Sequence, residues 1–252
     1  GDGLIGCSVV RAPARVRDKK LHRELWDISK ALIPDGDEIR IERVILAQDR
    51  RTDTLAFVAT LDNRGQAWEY GLNLDAVDLD DPEVYDELLS TIVHEYAHIL
   101  SLNDTQVSYV SAQQRAYDDR SVSDAAYEAI TIQAEKNCLS QRGIYDGDAC
   151  YKPGGHMFEF FMLFWDSYGD EAFIRAGTGE LYDDHAEDFV NSYAGSSPTE
   201  DFAESFAAWV MPDMDAFEIT AVVDTKFSFF NSRAELVSLR EQILDGLDLI
   251  QR

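Results

Sequence analysis

Between Asp81 and Asn103 the sequence permits little but a long helix, and that helix constrains the rest of the chain. Asp81 is a good N-cap, and Pro82 suits the first helical position, where its missing N–H has no partner to lose. Glu83, Asp86 and Glu87 fall in the early turns, near the positive end of the helix dipole. Apolar residues recur at Val84, Leu88, Ile92 and Ile99, and the pattern stops near Asn103.

Inside this helix stands His94-Glu95-Tyr96-Ala97-His98. Residues four apart share a helical face, so both imidazoles can reach one metal ion. Neutral imidazole is a good zinc ligand. Glu95 lies about 100° further round the helix. There its carboxylate can take a proton from water and deliver it to a leaving amine. The alternative is two polar residues on a solvated face beside a satisfied histidine.

A catalytic zinc site takes three protein ligands and keeps one position open. The best source of the third ligand is Pro198-Thr199-Glu200-Asp201-Phe202-Ala203-Glu204-Ser205-Phe206. Glu200 falls in the first turn of a helix that starts at Pro198, and Glu204 follows one turn later on the same face. Glu200 could bind the metal while Glu204 holds the far nitrogen of a ligand histidine and fixes its tautomer. Read alone, the segment is an acidic amphipathic helix with Phe202, Phe206 and Trp209 inward. Beside a His-Glu-x-x-His helix, the ligand reading is the stronger one.

The pentad and the later Glu-x-x-Ala-Glu helix resemble the gluzincin class of zinc metallopeptidases. The likeness is closest to the group of the anthrax lethal factor catalytic domain and the bacterial Pro-Pro endopeptidases. It covers residues 94–98 and 193–206. It implies a zincin-like fold, one zinc ion per chain held by His94, His98 and Glu200, and hydrolysis of peptide bonds with Glu95 as base and acid. In that group a tyrosine seven residues before the third ligand stabilises the transition state, and here that residue is Tyr193. A phenol at that place could donate to a developing oxyanion. The resemblance also implies that the strand before the active-site helix binds substrate as an added strand. Gln66–Leu74, with Trp68 and Tyr70, is then the expected edge. From His98 to Glu200 is 200 − 98 = 102 positions, a longer interval than that group suggests. The segment from Asn103 to about Tyr182 reads as an insertion or as the mark of a distant branch.

A rival ligand is Asp104, six residues after His98, as in metzincins. That class has a glycine three residues after the second histidine, where this chain has Ser101. A left-handed turn there is costly for serine. A rival of another kind is a non-catalytic surface module that retains the fold.

Around these motifs the chain reads as α+β. Asp18–Ile33 has helical spacing at Leu21, Leu25, Ile28 and Leu32. Ile39–Ala47, Thr54–Thr60 and Gln66–Leu74 read as an antiparallel meander, with a turn at residues 62–65. After the long helix only helices and loops are expected: Ser123–Ser140, His156–Tyr168, Asp183–Tyr193, Pro198–Val210 and Ala234–Ile250. The expectation is an N-terminal extension over residues 1–17 and a single domain over 18–252, with a lobe boundary near 103–110. The small antiparallel or mixed sheet and the active-site helix precede a mostly helical half. His22, His156 and His185 read as surface or structural residues, and the aromatic run 158–165 as core.

Charge narrows the partners. Lys+Arg is 22 against Asp+Glu 48, a formal net charge of −26 over 252 residues. Nucleic-acid binding needs a basic footprint, and this chain has none. Docking on anionic lipid is disfavoured for the same reason, and no apolar run reaches transmembrane length. The expected partner is a peptide or protein substrate, and the chain is expected to act as a monomer.

Three cysteines remain: Cys7, Cys138 and Cys150. Cys138 and Cys150 flank a polar loop that a disulfide could close, which would imply an oxidising compartment. Two free thiols are the alternative. Leu4-Ile5-Gly6-Cys7 is similar to the lipid-attachment box of bacterial lipoproteins and implies an anchor at Cys7. Gly155–Trp165 and Lys226–Phe230 are similar to segments of bacterial surface proteins that carry the same pentad. Together these place the expected protein outside the cell or in a bacterial cell envelope.

Overall fold

A computed structural model describes residues 14–52, 54–62, 64–109, 121–169, 172–212 and 217–250. The expectation for Cys7 lies outside the described residues. A helical turn, α1 (Ala14–Arg17), stands within the segment expected as an extension. Its Arg15 guanidinium donates to the Val77 carbonyl at 2.7 Å, which ties the turn to the loop after the first sheet. Helix α2 (Lys19–Leu32) is capped by Asp18, whose carboxylate accepts from the Lys20 and Leu21 N–H groups. It buries Leu25, Ile28 and Leu32.

The first sheet comprises β1 (Ile41–Ala47), β2 (Ala56–Thr60) and β3 (Trp68–Asn73), in the order β1-β3-β2. β2 and β3 form the expected antiparallel hairpin. β1 pairs with β3 in parallel, so the sheet is mixed rather than a meander. This corrects a second expectation. β3 is the central strand, with ladder partners on both sides, and cannot accept an added strand. Trp68 and Tyr70 are buried: the indole N–H donates to the Gly65 carbonyl, and the phenol meets the Ser29 hydroxyl at 3.0 Å. They serve the core. Among the described residues, the unpaired edges are those of β1 and β2.

Helix α3 (Pro82–Leu102) forms where its caps and spacing place it. Asp81 accepts from the Glu83 N–H at 3.0 Å. At the far end the Asn103 amide donates to the Ile99 and Leu100 carbonyls, at 3.1 and 2.8 Å. That satisfies groups a helix C-terminus otherwise leaves to water.

The second half is mainly helical but holds a second sheet that no local signal announced. Its strands β4 (Val107–Tyr109), β5 (Ile144–Tyr145) and β6 (Ala149–Tyr151) are too short for alternation to be read. Helix α4 (Asp124–Ser140) is joined to β6 by the disulfide Cys138–Cys150. α5 (His156–Phe164), α6 (Ala172–Thr178) and α7 (Glu180–His185) follow. The helix expected over Asp183–Tyr193 is not continuous. α7 ends at His185, a tight turn spans Ala186–Asp188, and Phe189 is extended. Phe189 and Val190 are both buried, and a helix running on through them would have carried Tyr193 elsewhere. Helices α8 (Pro198–Val210), α9 (Ala221–Asn231) and α10 (Ala234–Ile250) complete the described chain.

The fold is mixed α+β, mainly helical, with two small three-stranded sheets. A single buried cluster runs from Leu25 and Leu32 through Leu88, Ile92 and Tyr96 to Phe160, Phe202, Phe206 and Phe230. α2 and α10 approach so closely that a Cβ at Gly246 would lie 1.7 Å from the Ala31 carbonyl oxygen. Only glycine fits there. No described helix is long and apolar enough to cross a membrane.

Candidate metal centre

α3 and α8 pack against one another, and their facing sides carry the chemistry. One helical turn brings His94 and His98 side by side, with their Nε2 atoms 3.0 Å apart. Ser197 caps α8 by accepting the Glu200 N–H at 3.1 Å. That fixes the first turn from which Glu200 projects. Glu200 Oε2 lies 3.2 Å from Nε2 of His94 and 3.2 Å from Nε2 of His98. Among the described residues, these three side chains form a group that could hold a metal ion.

The donor set fits a cation. All three atoms carry lone pairs and converge within 3.0–3.2 Å of one another. Tetrahedral ligands at roughly 2.0–2.1 Å from a metal lie about 3.3–3.4 Å apart, close to this spacing. Glu200 Oε2 is buried with no donor aligned on it, which costs free energy unless a positive charge satisfies it. A proton is one answer. Burial alone would lower the His94 pKa, but Glu200 and Glu204 push it up to about 10. Burial would likewise raise Glu200, yet His94 and His98 hold it well below the usual carboxylate range.

Glu204 stands behind the three residues. Its Oε1 lies 2.8 Å from His94 Nδ1, the nitrogen that faces away from the triad. Its Oε2 accepts from the Asn191 amide at 2.7 Å.

Glu95 is 8% exposed. Burial raises its pKa, opposed by His98 and His94 and by a hydrogen bond from the Val58 backbone N–H. Val58 lies on β2, so Glu95 sits beside a sheet edge that is unpaired among the described residues. Tyr193 is 55% exposed, and its ring centroid is 5.9 Å from that of His94. Burial of part of the ring and the nearby Glu200 carboxylate raise its pKa. Its phenol is thus protonated at neutral pH and able to donate.

Asp104 is not brought to the group. Its carboxylate accepts from Arg40 at 3.2 Å and Gln66 at 2.8 Å, which lower its pKa. His156 lies 3.8 Å from Glu235, His185 packs on Tyr168, and His22 meets the Arg15 carbonyl. None of the three reaches the triad.

Two contributors escaped the sequence reading. Asn191 holds Glu204 and also accepts the Ala194 N–H at 2.8 Å, which shapes the turn after Tyr193. Val58 acts through its backbone, which no side chain signals. Comparisons with models of known protein families, with curated proteins and with solved structures find no match, so the reading of this site rests on its own residues and geometry.

Proposed function

We propose that the chain is a zinc-dependent peptidase of the zincin-like, gluzincin type, acting outside the cell or in a bacterial cell envelope. The observation that carries this reading is the convergence of His94, His98 and Glu200, with Glu95 beside them and Glu204 behind. Two imidazoles and one carboxylate suit zinc, and three protein ligands are the number a catalytic zinc site takes. When bound, zinc supplies Lewis acidity, which polarises a carbonyl and makes water nucleophilic near neutral pH.

The chain's own residues supply the rest. Glu95 accepts a proton from the attacking water, and its burial keeps its pKa high enough to hand that proton to the leaving amine. Tyr193 donates from the mouth of the site to the oxyanion that develops. Glu204 keeps the His94 Nδ1 proton in place, so that Nε2 presents its lone pair.

The substrate strand belongs on β2 rather than β3. Leu61 N–H and the Leu55 carbonyl bond toward the β3 side, so Ala56, Thr60 and the Val58 carbonyl, one residue out of step, face the open edge. Val58 is also the residue whose N–H meets Glu95. A peptide added along that edge lies beside the base. The Cys138–Cys150 disulfide supports an oxidising compartment.

The test is metal analysis followed by turnover. Protein purified without chelator should hold about one zinc per chain. Glu200→Ala should lose it, whereas Asp104→Ala and Glu95→Gln should keep it. A diverse peptide library should be cleaved by the parent and not by Glu95→Gln. Full activity in Glu95→Gln would refute the mechanism. Absence of zinc from the parent, even after zinc is added back, would refute the metal centre. A zinc-loaded parent that cleaves nothing in the library would favour the non-catalytic module.

A further inference from the structure

Directly after the ligand Glu200 stands Asp201, which is fully buried. Its two oxygens each lie 2.7 Å from the Lys226 ammonium, itself 1% exposed, on α9. The remaining capacity is filled as well. The Trp165 indole N–H donates to Asp201 Oδ2 at 2.8 Å, and the Ser205 hydroxyl donates to Oδ1 at 3.0 Å. The ammonium also donates to the Asp188 carbonyl and lies 4.7 Å from the centre of the Phe189 ring.

Burying an ion pair takes two charges out of water, and a well-packed apolar pair of similar volume is often as stable. Stability alone does not single out an ion pair here; what the pair joins does. Asp201 rides on the first turns of α8, which project Glu200. Asp188 closes the tight turn after α7, and Phe189 begins the stretch that leads to Tyr193. A single ammonium thus holds the ligand helix and the Tyr193 segment at one fixed separation.

We propose that Asp201 and Lys226 are positioning residues of the metal centre, setting Glu200 and the Tyr193 segment relative to the two histidines. This rests on the reading of His94, His98 and Glu200 as a metal site. The pair touches neither the three ligands' donor atoms nor Glu95. It acts through the backbone of α8 and through the Asp188 carbonyl, much as outer residues orient the ligands of other metal sites.

The experiment is zinc affinity by competition with a chromophoric chelator, with the cobalt(II) absorption spectrum as a probe of ligand geometry. The double variant Asp201→Leu/Lys226→Met removes both charges, so that neither is left buried alone. Its metal-free thermal midpoint should fall, because the Trp165 indole N–H, the Ser205 hydroxyl and the Asp188 carbonyl lose their partners; its zinc affinity should fall roughly 10–100-fold, and its cobalt bands should shift. A folded double variant with parental affinity and spectrum overturns the proposal. Should the double variant fail to fold, Ser205→Ala removes one donor to Asp201 with little change in volume, and Trp165→Phe removes another at the cost of three buried heavy atoms. Weakened zinc binding or altered cobalt bands in either supports the positioning role, and parental values in both overturn it. If the parent itself binds no zinc, the metal-centre reading fails first, and that result is distinct from the others.

Discussion

Glu204 Oε1 lies 2.8 Å from His94 Nδ1, while His94 Nε2 lies 3.2 Å from Glu200 Oε2. One imidazole therefore joins two carboxylates of the same helix, four residues apart. In the function proposed above, Glu204 orients the ring that Glu200 needs beside it. Glu204→Ala should retain the fold and lower zinc affinity roughly 10–100-fold. Chelator competition measures this, with Glu200→Ala as the reference for complete loss. Parental affinity in Glu204→Ala would sink the role given to this contact.

Tyr193 is the most exposed member of the site, and its raised pKa keeps the phenol protonated through neutral pH. Phenylalanine keeps the ring and removes the donor. Tyr193→Phe should bind zinc as the parent does and lower kcat by about 10²–10³, the usual effect of deleting one oxyanion donor. KM should change little. An unchanged kcat would remove Tyr193 from the chemistry and leave it as a wall of the cleft.

What could be read in advance was local. The Asp81-Pro82 start, the four-residue spacing of His94 and His98, and the same spacing in Glu200 and Glu204 each involve neighbours along one helix. The structure has all three. What could not be read depended on distant pairing. β3 follows β2 through a tight turn, so their hairpin was legible. Whether β1 lay beside β2 or beside β3 is decided by packing, and the answer buried Trp68 and Tyr70. Lys226 lies 25 residues from Asp201. Nothing near either residue distinguishes a buried pair from two solvated charges.

Helix α4 offers a test that leaves the metal site alone. Of its seventeen residues only Ala134 and Cys138 are buried. The Cys138–Cys150 bond, spanning 12 positions, ties it to β6. Closing a loop of that size stabilises by about 3 kcal/mol through the unfolded chain, and here much of that supports one helix. Cys138→Ser/Cys150→Ser should speed amide hydrogen exchange across residues 124–140 by an order of magnitude or more, while zinc affinity stays parental. Exchange that rises equally in α3 and α8 would show that the bond supports the whole molecule instead.

In the metal-free protein the histidine proton is part of the site. Burial disfavours it, yet Glu200 and Glu204 raise the His94 pKa from 6.5 to about 10. A pKa raised on folding adds stability that is complete below the unfolded value and is lost as pH climbs through the folded one. The metal-free protein should therefore lose stability between about pH 6.5 and 10. Zinc binds the deprotonated ring, so it must displace that proton. At pH 8, zinc titrations in two buffers of different ionisation enthalpy should show about one proton released per zinc bound. The Glu204→Ala protein, which lacks one of the carboxylates that hold the proton, should release less. No proton release in the parent would mean that His94 is already neutral, and that the carboxylates around it do not hold a charge in place of the metal.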